Sequence, residues 1–424
     1  MKIHLFFFAF LIICLNINAQ SYDDYIKNGD KFLLDENYED ALTQYSKAIN
    51  LDSNKSIGFY KRAVTSDNQE ALSDFNRAIQ IEPKNIDYLN SRGKFYNQIG
   101  NFKLALQDFN YIIELAPLFA TAYINRGDTY TYMDEYYLAI LNFAEAIEIN
   151  PKNDTAYYKK AIMSDATKEF GMAINDYSRA IELKPNEPSY YLYRALANIG
   201  NSDYYSAIND ASLVIEIDPE NWMGFWARGK AHHLLKQYEN ALNDYNHALL
   251  INNNLPTIYY NRGTLYLETK QYDKSIVDLK KAVMLYNIDA NFNYNLGLCY
   301  WELKDKNNAV KYWENAISCE PSYEEELRPL INNAGVEKIE TNKKISDSTI
   351  TSKIYTINFH NEPLWVIAKK LYGSSYYWPA IWDANKNNIP NPNITIKDMK
   401  LIIPYLTNAQ KKAETYKKHR TKPK

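Results

Sequence analysis

The chain of 424 residues has little cysteine, no long apolar run and no excess of either charge. Its three cysteines, Cys14, Cys299 and Cys319, are too few for a disulfide framework or a cysteine-rich metal fold. The apolar stretch from Leu5 to Leu15 covers eleven residues, whereas a membrane-spanning helix needs ~20. A net charge of −3 argues against a general nucleic-acid binder, which shows a strongly basic domain. The sequence also lacks a Gly-rich phosphate loop, a Gly-x-Ser-x-Gly turn and a His-Glu-x-x-His pair. Its six histidines include His232, His233 and His247, but no acidic or cysteine ligands stand beside them at metal spacing. They read as surface or packing residues, so no catalytic residue, metal or cofactor is assigned.

What is present begins with an export signal at residues 1–19. Lys2 supplies a small positive region, Leu5–Leu15 the apolar core, and Ala19 a small residue at the cleavage point. Bulky Ile13 before Cys14 is a poor match to a lipid-attachment site, so the expected location is the periplasm or cell envelope, with lipid attachment at Cys14 as the minor alternative. Signal removal leaves Cys299 and Cys319. We read them as small packing residues, with a disulfide as the alternative for an exported chain.

The dominant feature is a period. Small residues recur at Gly29, Ala63, Gly93, Gly127, Ala161, Ala195, Gly229, Gly263 and Gly297, in steps of 34 except for 30 between Ala63 and Gly93. Ala41, Ala105, Ala139, Ala173, Ala207, Ala241, Ser275 and Ala309 follow twelve residues after members of that series. Pro83, Pro117, Pro151, Pro185, Pro219 and Pro321 close many of the units. Glycine inside a helix costs ~1 kcal/mol against alanine, so its return at one phase marks a place where another helix crosses. Proline costs ~3 kcal/mol in a helix interior and so marks the end of each helix pair. Large residues such as Tyr45, Phe109, Phe143, Tyr177, Tyr245 and Trp313 recur on the second helices and are expected to fill grooves between successive pairs. Ala211 takes that phase in the sixth unit.

These segments, typified by Tyr123-Ile124-Asn125-Arg126-Gly127-Asp128-Thr129-Tyr130 and Ala139 to Pro151, resemble the tetratricopeptide repeat family, whose period is 34. The resemblance implies an α-solenoid of about nine helical hairpins over residues 22–321, with a concave face that binds proteins. On that face Tyr158, Leu192, Trp226, Tyr260 and Tyr294 share one phase and form a candidate groove for an extended peptide or a partner helix. Tyrosine is common there in the family, so packing is the alternative. The family's chaperone-tail readers carry a Lys, Asn and Arg clamp. Only scattered members, Lys94, Asn125, Lys230 and Asn261, occur here.

Residues 322–353 read as a cap helix, Tyr323–Asn333, and a polar linker. Strand, helix, helix and strand patterns then follow: Ile354–Ile357, Leu364–Gly373, Trp378–Asn385 and Met399–Pro404. With Leu364-Trp365-x-Ile367-Ala368, Tyr372-Gly373, Trp378-x-x-Ile381 and Asn391-Pro392-Asn393, residues 354–407 resemble the lysin motif. That resemblance implies a βααβ domain that binds peptidoglycan or a related N-acetylated glycan through Leu364, Asn393, Ile394 and Ile396. The loops Phe359–Pro363 and Lys397–Met399 depart from the family's usual Gly-Asp and Pro-Gly-Gln. Residues 408–424 form a basic tail, read as disordered. The sequence thus predicts a mostly α, exported, non-enzymatic adaptor with a protein partner and a glycan tether. A purely protein-binding chain is the alternative, and a wall-modifying enzyme with an unrecognised site is a third reading.

Overall fold

A computed structural model describes residues 20–66, 70–286, 289–335, 353–356 and 400–403. The expected signal at 1–19, the helices within 354–407 and the tail at 408–424 lie outside these residues. The chain divides into two compact units, residues 1–149 with 347–424 and residues 150–346.

The first unit holds four antiparallel helix pairs. They are α1 (Tyr22–Leu34) with α2 (Tyr38–Leu51), α3 (Ser56–Thr65) with α4 (Glu70–Ile81), α5 (Ile86–Gln98) with α6 (Phe102–Leu115), and α7 (Ala120–Tyr132) with α8 (Tyr136–Ile149). The same unit contains β1 (Lys353–Thr356) and β2 (Lys400–Ile403), paired antiparallel with Lys353 opposite Ile403 and Thr356 opposite Lys400. The strands expected at 354–357 and 399–404 therefore pair, and β1 starts one residue earlier than expected.

The second unit holds five pairs: α9 (Asp154–Ala166) with α10 (Phe170–Leu183), α11 (Pro188–Gly200) with α12 (Tyr204–Ile217), α13 (Trp222–Leu234) with α14 (Tyr238–Ile251), α15 (Pro256–Glu268) with α16 (Tyr272–Leu285), and α17 (Ala290–Glu302) with α18 (Lys306–Cys319). A 3-10 turn at Pro321–Tyr323 leads into α19 (Glu324–Asn333), the expected cap, with Pro329 inside it. Among the described residues no helix is long and apolar enough to cross a membrane.

Many of the helices start or stop at an identifiable cap. Asn85, Asn153 and Asn221 cap first helices by accepting backbone N–H bonds, and Asn37, Asn101, Asp203 and Asp305 cap second helices. Most first helices end on a residue with positive φ: Glu36, Gly100, Asp134, Lys168, Ser202, Lys236, Lys270 and Lys304. The next N–H then bonds back to the last turn, as in Gln271 to Tyr266 at 2.7 Å and Asp305 to Tyr300 at 2.9 Å. This is the helix-stop geometry that glycine normally serves. Here only Gly100 is a glycine in that series; the other residues pay a left-handed strain of ~1–2 kcal/mol.

The small-residue period has a direct partner. A Cβ built on Gly297 would lie 2.2 Å from Cδ1 of Trp313, and one on Gly93 2.7 Å from Cε1 of Phe109. Gly29 meets Tyr45, Gly127 meets Phe143, and Gly229 meets Tyr245 in the same way. The large second-helix residues thus face the glycine of their own hairpin, which corrects the expectation that they serve chiefly between hairpins. In the sixth hairpin Ala195 and Ala211 are both fully buried, and Leu192 and Val214 complete that cluster.

An arginine ladder adds polar order that the period alone did not reveal. Arg62, Arg92, Arg194, Arg228 and Arg262 each donate Nε and NH2 bonds, at 2.6–3.0 Å, to both oxygens of an aspartate on their own second helix. The aspartates are Asp74, Asp108, Asp210, Asp244 and Asp278, with side chains 3–8% exposed. The remaining NH1 reaches back to the preceding second helix, onto Ser46, Asn76, Ser178, Ser212 and Asn246 at 2.6–3.3 Å. One planar guanidinium therefore ties three helices through its fixed fork. Arg126 makes the neutral version with Asn142 and Asn110. Lys160 reaches only Asp176.

Candidate functional site

The five groove residues lie in the second unit, one on each first helix, and the structure gives each a different surrounding. Tyr158 is half-buried, with ring centroids 4.9 Å from Tyr190 and 5.7 Å from Tyr193 on α11. Burial, then the neighbouring Tyr193, pushes its phenol pKa well above the ordinary value. Leu192 is only 3% exposed and belongs to the packed cluster with Ala195, Ala211 and Val214. Trp226 is half-buried between that cluster and the one around Tyr245 and Ile258. Its Nε1 is buried without a hydrogen-bond partner, and the Lys230 ammonium sits 5.6 Å above its ring.

Tyr260 stacks obliquely on Phe292 of α17 at 4.9 Å, and burial raises its phenol pKa. Tyr294 packs on Tyr323 at 5.2 Å and donates its hydroxyl to Glu326 at 2.7 Å. Burial, with Glu326 second, pushes that phenol up to about 12. Tyr158, Tyr260 and Tyr294 each lean on the next element along the array. They therefore contribute to packing between hairpins, and their rings remain only half-buried. Chemically this arrangement offers apolar and π contacts rather than a reacting group.

The histidines are placed as side-chain partners. His232 Nδ1 is 2.6 Å from Gln237 Oε1, and His247 stacks on Phe225 at 5.3 Å. His233 Nε2 lies 3.1 Å from Glu268 Oε2 without hydrogen-bond geometry, and its Nδ1 is 3.4 Å from the Tyr245 hydroxyl. Among the described residues no group of three or more His, Cys, Asp or Glu side chains is placed to hold a metal. Cys299 is a free thiol, and Cys319 is exposed. Cys299 is buried, with Sγ 3.1 Å from Ser275 Oγ, and burial pushes its thiol up to about 11. The glycan-contact candidates Leu364, Asn393, Ile394 and Ile396 lie outside the described residues.

Asp165 on α9 escaped the sequence reading, and Lys230 on α13 entered it only as a scattered clamp member. Both follow the stripe at helical spacing: Asp165 seven residues after Tyr158, Lys230 four after Trp226. That spacing was the available signal.

Comparison with known proteins agrees with the repeat pattern. The family model described as "Tetratricopeptide repeat" matches residues 120–153, 154–187, 256–289 and 290–323, and one described as "TPR repeat" matches 229–270. The chain therefore carries tetratricopeptide repeats, and the structure arranges them as helical hairpins. Among solved structures, the chain is similar to one described as an APC/C hetero-tetramer Cut9-Hcn1. The identity is 15% over 74% of this chain and 76% of that one, with a TM-score of 0.48. A tetratricopeptide repeat protein from Parabacteroides merdae matches at 16% identity over 66% of this chain and 99% of that one, with a TM-score of 0.42. YrrB, described as a TPR protein with an unusual peptide-binding site, matches at 20% identity over 46% and 97%, with a TM-score of 0.40. No curated protein matches the chain.

Proposed function

We propose that the chain is an exported, non-enzymatic scaffold whose second unit holds an extended segment of a protein partner along its first helices. The observation that carries this reading is the half-buried aromatic row Tyr158, Trp226, Tyr260 and Tyr294 at one phase of α9, α13, α15 and α17. Tyrosine and tryptophan give large contact area at low entropic cost and dominate binding energy when a partner covers them. In this reading residues 354–407 tether the array to peptidoglycan or a related N-acetylated glycan in the cell envelope, with Leu364, Asn393, Ile394 and Ile396 as contacts. The tether rests on the lysin-motif resemblance, and pairing of the segment's two ends as β1 and β2 is compatible with it. The departures at Phe359–Pro363 and Lys397–Met399 favour a second reading in which this segment serves protein docking alone.

The test has two arms. The full-length protein is sedimented with insoluble peptidoglycan beside a variant lacking residues 354–407. Enrichment that the deletion removes supports the tether, and equal recovery of both forms refutes it. For the groove, partners crosslinked to the wild type are identified by mass spectrometry and compared with those of Trp226→Ala/Tyr260→Ala. Capture that persists unchanged, with helicity retained by circular dichroism, rules the groove out.

A further inference from the structure

Between α9 and α13 of the second unit runs α11, whose half-buried Leu196 continues the helical spacing of the buried Leu192 and Ile199, with a charge on either side of it. Asp165 on α9 is half-buried and has no hydrogen-bond or ion-pair partner among the described residues. Burial alone raises its carboxyl pKa. Lys230 on α13 is half-buried, touches the Trp226 ring, and has no carboxylate within reach among the described residues. Burial lowers its ammonium pKa.

Several other half-buried charges have a counter-charge in place. Lys61 pairs with Asp30 at 2.9 Å and Lys160 with Asp176 at 3.0 Å, and the ladder arginines grip their aspartates. His233, on the same face as Lys230, has Glu268 beside it. A desolvated charge without a counter-charge is costly, and the cost falls when a ligand supplies the missing partner. Burial, then the Asp165 charge, raises the Tyr177 phenol pKa, and the rings of Tyr158, Tyr177 and Tyr193 cluster at 5.7–6.3 Å. Aromatic faces beside an unpaired acid favour a cation. Trp226 beside an unpaired ammonium favours an acid flanked by apolar groups.

Two inter-helix spacings of about 10 Å separate α9 from α13, hence roughly 20 Å. An extended chain rising ~3.3 Å per residue covers that in about six residues. We infer that this face selects a partner segment bearing a basic and an acidic side chain about six residues apart, with apolar residues between them. The basic group meets Asp165, the acidic group meets Lys230, and the apolar stretch lies along α11. This rests on the groove reading proposed above and specifies the chemistry of its occupant.

Fluorescence anisotropy of the full-length protein with labelled twelve-residue peptides tests it. Four peptides share a leucine-alanine spacer and carry Lys/Glu, Gln/Glu, Lys/Gln or Gln/Gln at the two spaced positions. Each is made in both chain directions. The Lys/Glu peptide is expected to bind about tenfold tighter than Gln/Gln, a difference of ~1.4 kcal/mol, in at least one direction. Asp165→Asn should erase the preference for Lys over Gln, and Lys230→Met the preference for Glu over Gln, with circular dichroism unchanged. Equal binding of all four peptides, charge preferences that survive both substitutions, or no binding of any peptide would each overturn the inference. Trp226→Ala separates the two levels. Equal binding that this substitution abolishes leaves the groove standing without charge selection, whereas binding that it leaves untouched removes the groove as well.

Discussion

The eighth and ninth hairpins solve the same packing problem with opposite chemistry. In α15/α16 the phase before the small residue carries Arg262, which grips Asp278 and reaches back to Asn246. In α17/α18 that phase carries Leu296, fully buried in a cluster that Tyr312 packs against. Sixteen residues before Leu296 stands Lys280, whose ammonium lies 5.5 Å over Tyr300. Both hairpins close, so the ion pair is not what closes a hairpin. The arginine adds the third bond, to the hairpin before it. At the array's end the cap restores a version of that bond: Arg328 of α19 pairs with Glu314 of α18 and with Glu324. Buried ion pairs often add little net stability over apolar packing, while breaking one is expensive. The contrast assigns the ladder to register and the apolar phase to closure.

Breaking one ladder rung should have the largest effect. Arg262→Met leaves Asp278 buried without its cation and should cost about 3–5 kcal/mol in urea unfolding. Copying the ninth hairpin with Arg262→Leu/Asp278→Tyr should regain most of that loss. A double variant as unstable as the single one would break the comparison.

The glycine phase sharpens it at the next scale. Gly297→Ala sets a Cβ 2.2 Å from the Trp313 ring, whereas Gly263→Ala meets the more flexible Leu279 at 2.9 Å. Overpacking costs typically ~1–3 kcal/mol, set against ~1 kcal/mol of helix propensity gained. Gly297→Ala should lower the unfolding midpoint clearly, and Gly263→Ala little. Equal shifts would show that ring rigidity is irrelevant here.

The turns give a smaller effect of opposite sign. Lys270 and Lys304 hold φ of 61° and 65°, and glycine there should stabilise by roughly 0.5–1 kcal/mol. Calorimetry of Lys270→Gly and Lys304→Gly should show raised melting temperatures of similar size in both hairpins, because this device is common to them.

The smallest effect is a pH slope. Burial raises the folded-state pKa of Asp165, so the native chain holds this proton more tightly than the unfolded chain. Its contribution to stability is complete below the unfolded carboxylate pKa near ~3.9 and is lost as pH rises through the higher folded value. Asp165→Asn should therefore remove a falling component of stability just above the ordinary carboxylate range. Urea midpoints across that range that run parallel for both forms would contradict the desolvation of Asp165.

Most of the helical fold was legible because a period multiplies a weak local signal. Gly93, Gly127, Gly229 and Gly297 at one phase are informative together where any one is not. The ladder was missed because an arginine and an aspartate twelve or sixteen residues apart look like ordinary surface charges until two helices fold back on each other. Positive φ at Lys168, Lys236 and Lys270 was equally hidden, since lysine announces no turn. For the site, the aromatic row was visible as a phase, but burial was not. Leu192 is buried among Ala195, Ala211 and Val214, while Tyr158 and Trp226 stay half-buried. The lack of partners at Asp165 and Lys230 is a three-dimensional property that no sequence spacing encodes.

The ladder's reach, sixteen residues back and, except at Arg62, sixteen forward, has a consequence for how such a gene changes length. Excising the codons for residues 213–246 would bring Ser212 to the position sixteen before Arg262, where Asn246 now stands. Both side chains accept the same guanidinium bond. Unequal crossing-over between such repeats can thus drop or duplicate a unit and still leave the next arginine with an acceptor, provided that the joined second helix carries Ser or Asn at this phase. The protein can be shortened or lengthened by recombination without first evolving a new joint.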